Sequence, residues 1–204
     1  MLELNMNNLK TLSLLASVVS VLLLPSLNFG QSNDKGSISK TETEDQKFSV
    51  ADGKFHFVAP GSWKKVKPKF QFYHAEFSIP KVEGDPNDGR ITFSQVGGSI
   101  DANLDRWVGQ FKDLKNDDAD SVKKVAKEFA DTPVQIIHIK GTFMEGAGGP
   151  FGKKTEREDY VLMGAALETG SGSNVYIKAY GPSKTMEKNH EHLKNLLEKM
   201  TVTD

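Results

Sequence analysis

The spacing of large apolar residues changes three times along this chain, and those changes restrict the fold more than any motif does. From Phe70 to Ile79 the pattern has period two. Tyr73, Ala75, Phe77 and Ile79 fall on one side, and His74, Glu76 and Ser78 on the other, as in a half-buried strand. From Leu104 to Leu114 the period is that of a helix, with Leu104, Trp107, Val108, Phe111 and Leu114 three or four apart. Ser99 or Asp101 can cap its start, and Asn116-Asp117-Asp118 ends it. Period two then returns before a last helical stretch.

The other strands are read from the same signal. Gly53 to Pro60 is a strand entering a Pro-Gly turn, and Trp63 to Val66 is a short one before Pro68. Arg90 to Val96 follows the turn-rich Glu83–Gly89 and closes a hairpin with the strand before it. Val134 to Phe143 is a strand. Val122 to Phe129 has valines at strand spacing but a Lys, Ala and Glu content that suits a helix, and the strand reading is adopted. Tyr160 to Thr169 and Asn174 to Tyr180 flank Gly170-Ser171-Gly172-Ser173, a hairpin signal. Met186, Asn189, His190, Leu193, Leu196, Leu197 and Met200 mark a closing helix from Ser183, a rod of roughly 27 Å. Short turns between strands imply antiparallel pairing. The expected class is α+β, a mainly antiparallel sheet flanked by two helices.

The N-terminus reads as an address. Asn7, Asn8 and Lys10 precede an apolar run from Leu12 to Leu24, broken at Pro25, with a polar exit from Gln31. This is the pattern of a secretory signal at residues 1–30, cleaved near Gly30, with Met6 as an alternative start. The rival is an uncleaved anchor over Leu9–Leu27, near the lower length for a span. The expected location is secreted or periplasmic, with membrane contact only if the segment stays uncleaved. Residues 31–47 are polar and read as a disordered linker. A single domain then runs over 48–204, beginning near Phe48. The chain has no cysteine, so stability comes from a core, for which it has 12 Phe, 2 Trp and 4 Tyr. Without residues 1–30, 25 basic residues face 26 acidic ones. That balance argues against a nucleic-acid partner.

The turn Phe57-Val58-Ala59-Pro60-Gly61-Ser62-Trp63-Lys64 resembles the first strand and turn of PsbP-like and Mog1-like domains, where a strand ends in a proline followed by a tryptophan. Val175-Tyr176-Ile177-Lys178 and the last helix are similar to their C-terminal end. The resemblance spans about Phe48 to Met200. It implies an α/β sandwich and an accessory or binding role on a larger assembly, and it carries over no catalytic residues.

Candidate chemistry is sparse. The glycine-rich Gly141–Thr155 fails as a phosphate loop: Ala147 stands five before Gly152, Lys154 follows Lys153 where Ser or Thr is needed, and a strand comes next. It reads as a connecting flap, with Phe151, Lys153 and Lys154 as contact residues. The stretch Trp63-Lys64-Lys65-Val66-Lys67-Pro68-Lys69-Phe70 interleaves lysines with aromatics. Trp63, Lys64, Lys65, Lys67 and Lys69 are candidates for gripping an acidic partner. The plainer reading is an edge strand protected by lysines, with Trp63 and Phe70 in the core. His190 and His192 lie two apart on a helix and make a poor metal pair. His56 beside His74 across a sheet is the arrangement that would revive a metal site. Neither Asp85–Gly89 nor Asn116–Asp120 matches a calcium loop. There is no Gly-x-Ser-x-Gly elbow. No cofactor and no metal is implied. The leading expectation is an exported module that recognises a protein or envelope component by its surface. The alternatives are a hydrolase with a site under the flap, and an apolar-ligand carrier with a cavity between sheet and helix.

Overall fold

Phe55–Ala59 (β2) buries Phe55, Phe57 and Ala59 and turns His56 to water. Gln46–Val50 (β1) pairs with it antiparallel, Phe48 opposite Phe57. The chain end returns as Thr201–Val202 (β10) on its other side, completing a three-stranded sheet. This computed structural model describes residues 44–146 and 152–203. The expected signal segment, most of the expected linker, and Phe151 lie outside the described residues. β1 begins at Gln46, two residues before the expected domain start at Phe48.

The second sheet has seven strands: Lys64–Lys65 (β3), Tyr73–Ile79 (β4), Gly89–Gly97 (β5), Val122–Phe129 (β6), Thr132–Gly146 (β7), Lys154–Leu167 (β8) and Ser173–Pro182 (β9). Their order is β3-β4-β5-β9-β8-β7-β6, antiparallel throughout. After β5 the chain passes through the helix Ile100–Val108 (α1) to the far edge. Three hairpins then bring it back, so that β9 closes beside β5. The fold is therefore α+β, with helices on both faces of a mainly antiparallel sheet.

Each face has its own core. Between the sheets, Phe55, Phe57, Phe77, Phe93 and Ile79 are fully buried with Trp63, Met186 and Leu196. Each contributes about 1.5–3 kcal/mol by leaving water. On the opposite face, Leu104, Trp107 and Val108 of α1 pack on Ile137, Leu162 and Tyr176.

Both helical regions are shorter than their periodicity predicts. α1 starts as expected, with Ser99 Oγ accepting from the Ala102 amide at 3.2 Å. It stops at Val108, not near Leu114. Beyond it, Lys112 N donates to Thr142 O at 2.8 Å and Met144 N to Gln110 O at 2.7 Å, placing Phe111 against Phe143. Bonds to β7 replace those a longer helix would make.

The expected closing helix is two, Ser183–Lys188 (α2) and His190–Glu198 (α3), broken at Asn189. Asn189 accepts the Trp63 ring N–H at 2.8 Å and donates to Thr185 O at 2.8 Å. Thr185 in turn gives its amide (2.9 Å) and hydroxyl (2.5 Å) to Asp85. Asp85 thus caps α2 from the β4–β5 loop, where the sequence suggested only a turn.

The described residues of the glycine-rich segment are mostly strand. β7 runs to Gly146 and β8 starts at Lys154. Between the pairs Gly141–Tyr160 and Phe143–Arg157 the single Thr142 of β7 stands against both Glu158 and Asp159 of β8, with Asp159 at φ +52°, so the extra residue of a bulge lies on β8.

Candidate functional site

α1 covers the β7–β9 end of its sheet face and leaves the β4–β5 end open. A cleft of about 500 Å³ lies there. Register decides what it presents. Ser78, Arg90, Tyr180 and Leu162 stand opposite one another in neighbouring strands, as do Glu76, Thr92, Lys178 and Gly164. The cleft is lined by Glu76, Arg90 and Tyr180 from these rows, with Tyr160 and Arg157 of β8 and Val66 of the β3–β4 loop.

Its charges are paired. Arg90 Nε meets Glu76 Oε1 at 2.7 Å, and Arg90 Nη1 donates to the Tyr180 hydroxyl at 3.0 Å. The guanidinium lies 5.5 Å above the Tyr73 ring. Arg90 Nη2 is buried with no hydrogen-bond partner among the described residues. Arg157 Nε pairs with Glu145 at 2.9 Å. Asn87 donates to the Tyr160 hydroxyl. Burial raises the Tyr180 and Tyr160 phenols above their usual range, so both stay neutral donors and acceptors. Asp88 is held below the usual carboxylate range by hydrogen bonds from the Ser78 hydroxyl and the Lys81 amide.

The rim is the stretch rich in lysine and aromatics. Glu76 was expected on the water-facing column of its strand, yet it is 6% exposed. Its second oxygen accepts the Lys69 amide at 2.9 Å, and its carbonyl accepts the Val66 amide at 3.0 Å. One buried acid therefore fixes both Arg90 and the rim loop. Phe70 and Phe72 stack at 5.4 Å with planes 7° apart. Tyr73 packs edge-on against them at 5.6 and 4.5 Å. Phe70 is nevertheless 47% exposed and Phe72 50%. This corrects the plainer reading that put Phe70 in the core.

The proposed contact residues separate. Trp63 is 2% exposed and belongs to the core. Lys64 and Lys65 form the exposed edge strand β3, and Lys67 and Lys69 are exposed in the loop after it. None of the four lines the cleft. Lys153 and Lys154 are exposed where β8 begins. The two segments nominated separately border one cleft, through Val66 of the lysine stretch and Glu145 and Arg157 of the β7–β8 ribbon. Phe72, Arg90, Tyr160 and Tyr180 were missed. The Phe-x-Phe spacing at Phe70 and Phe72 was the one available signal. The tyrosines and Arg90 look like ordinary strand residues until register puts them together.

The histidines scatter. His56 and His74 lie in different sheets, not side by side. His56 Nε2 hydrogen-bonds Thr203 Oγ1 at 2.7 Å, and His192 packs edge-on to Trp63. Among the described residues there is no group of three or more potential metal ligands. Among them, too, no helix is long and apolar enough to cross a membrane.

No family model and no curated protein matches the chain. Solved structures do. The chain is similar to cyanobacterial PsbP of Synechocystis sp. PCC 6803, with 9% identity over 86% of this chain and 99% of that one (TM-score 0.48). It is similar to LpqN of Mycobacterium tuberculosis, a protein involved in cell envelope biogenesis, with 11% identity over 79% and 91% (TM-score 0.46). It is also similar to the Saccharomyces cerevisiae Ran-binding protein Mog1p, with 10% identity over 79% and 97% (TM-score 0.45). PsbP-like and Mog1-like structures, the two groups named from the sequence, are both among them. At these identities the likeness concerns the fold alone.

Proposed function

We propose that this chain is an accessory binding module that recognises an acidic protein segment at the rim of the Arg90 cleft. The observation that carries the reading is the exposed Phe70–Phe72 stack set among Lys64, Lys65, Lys67 and Lys69. Two stacked phenyl rings left half-exposed gain free energy when a partner covers them. Aromatic anchors inside a polar rim are what interface hot spots are built from. The lysines steer an acidic partner toward the rings and set orientation more than affinity. The cleft behind them supplies Arg157, Tyr160 and Tyr180 for polar contacts. The basic start and the apolar run of residues 7–24 support action outside the cytoplasm.

A photo-crosslinking amino acid placed at Phe70 in living cells tests this. A discrete adduct is expected there, weakened by K64E/K65E. No such adduct is expected from a probe at Glu128 on β6, the opposite edge of the sheet. The same adducts from both positions, or none at Phe70, would overturn the reading.

A further inference from the structure

On the face of the large sheet that α3 covers, strands β6 and β7 reach beyond the helix. Val125 of β6 is 50% exposed as a result. Between α3 and this overhang lies a cavity of about 240 Å³. Phe129, Ile136, Met163, Leu193 and Leu197 are among its walls. An apolar cavity of roughly 150 Å³ is already enough to stay dry and hold a benzene ring. This one is larger, and it opens to solvent between a helix and an edge strand.

We infer that this cavity binds a single medium-length acyl chain ending in a free carboxylate. The volume sets the length. At roughly 30 Å³ per water-sized unit, it holds roughly eight such units, the bulk of an octanoyl to decanoyl chain and far less than a helix face. The charges at the mouth set the head group. Lys127, His138, His190 and Lys194 line it, with Glu198 as the acid among them. Glu198 is answered by Lys194 at 3.6 Å, which also reaches Glu191 at 3.6 Å. Nearby Glu187 is answered by Lys140 at 3.8 Å. Lys127 has no carboxylate within salt-bridge distance among the described residues, so a cation is left at the lip. Burial, then His190 and the lysines Lys123 and Lys140, lower the His138 pKa. His138 is therefore a neutral ring at pH 7, able to donate one hydrogen bond to a carboxylate oxygen. The site lies apart from the Arg90 cleft and shares no lining residue with it.

Titration calorimetry of the full chain with decanoate and with decan-1-ol tests the inference. Saturable binding of one decanoate per chain is expected, with the alcohol binding more weakly. K127E should weaken decanoate by roughly tenfold, the value of one charge-assisted contact, and leave decan-1-ol unchanged. L193W should fill the cavity and abolish both without lowering the melting temperature. If L193W fails to fold, K127E still decides. Three results would overturn the inference: no saturable heat up to millimolar decanoate, decanoate binding indifferent to K127E, or binding to phosphatidylglycerol vesicles in place of free decanoate.

Discussion

Lys178 stands on the same sheet face as Arg90. Its ammonium lies 5.0 Å from the Tyr180 ring centre and 5.5 Å from that of Phe143, and it donates to Gln110 Oε1. It has no carboxylate partner among the described residues. Burial, and then the charge of Arg90, lower its pKa to about 7. The folded chain therefore releases this proton near neutrality, while the unfolded chain keeps it to the ordinary lysine range. Between those limits the unfolded state binds more protons, so stability rises with pH across the window. Lys178→Met removes that slope. The stability of K178M relative to wild type should be greatest at pH 7 and below. It should fall by about 1–3 kcal/mol by pH 9.5–10. Urea melts of both proteins at pH 6, 8 and 9.5 measure the difference, and a constant difference would contradict the assignment. In the sequence this lysine is one position of the C-terminal strand pattern Val175-Tyr176-Ile177-Lys178. Alternation put Glu76 correctly on the face opposite Phe77. It did not tell that Glu76 is itself covered on that face, because the cover comes from Arg90 and from the loop after β3, which alternation cannot place.

At the scale of elements, α1 is seated by one glycine. A Cβ on Gly164 would lie 2.2 Å from Cζ3 and 2.8 Å from Cε3 of the Trp107 ring, well inside contact distance. Gly164→Ala must therefore turn the indole or lift the helix, an overpacking cost of typically 1–3 kcal/mol. Chemical melts followed by tryptophan fluorescence should show that loss. Unchanged stability would mean the seat yields freely. The same competition between local pattern and tertiary bonds explains which elements were legible. Val122–Phe129 has helical composition but lies along β7 over eight paired residues, and the ladder outweighs propensity. The apolar spacing of residues 104–114 predicts a helix of full length, but the backbone of residues 110–112 bonds to β7 instead. Asn189 ends α2 because Trp63, 126 residues away in sequence, occupies its side chain.

For the molecule as a whole, the two sheets meet through β1 and β2, whose Phe48 and Phe57 pack on Phe93 at 4.8 and 5.3 Å. Gln46 ties the first strand to the opening turn, donating to Trp63 O at 2.7 Å and Pro60 O at 3.2 Å. A chain trimmed to begin at Glu44 keeps these bonds and should melt cooperatively. One trimmed to begin at Phe48 loses them and two strand pairs, and should melt several degrees lower. Equal midpoints would show that the domain starts at Phe48 after all. The sequence by itself determined the class of fold, the seven strands of the large sheet, and the segments that carry exposed charge. Periodicity and turn chemistry act between near neighbours, so they are written in order along the chain. The tertiary structure alone decided that the lysine stretch and the β7–β8 ribbon border one cleft. It alone decided that Arg90, Tyr160 and Tyr180 meet there, and that Asp85 caps a helix 100 residues away. Those juxtapositions arise from strand order and register, which depend on every pairing at once and leave no local trace.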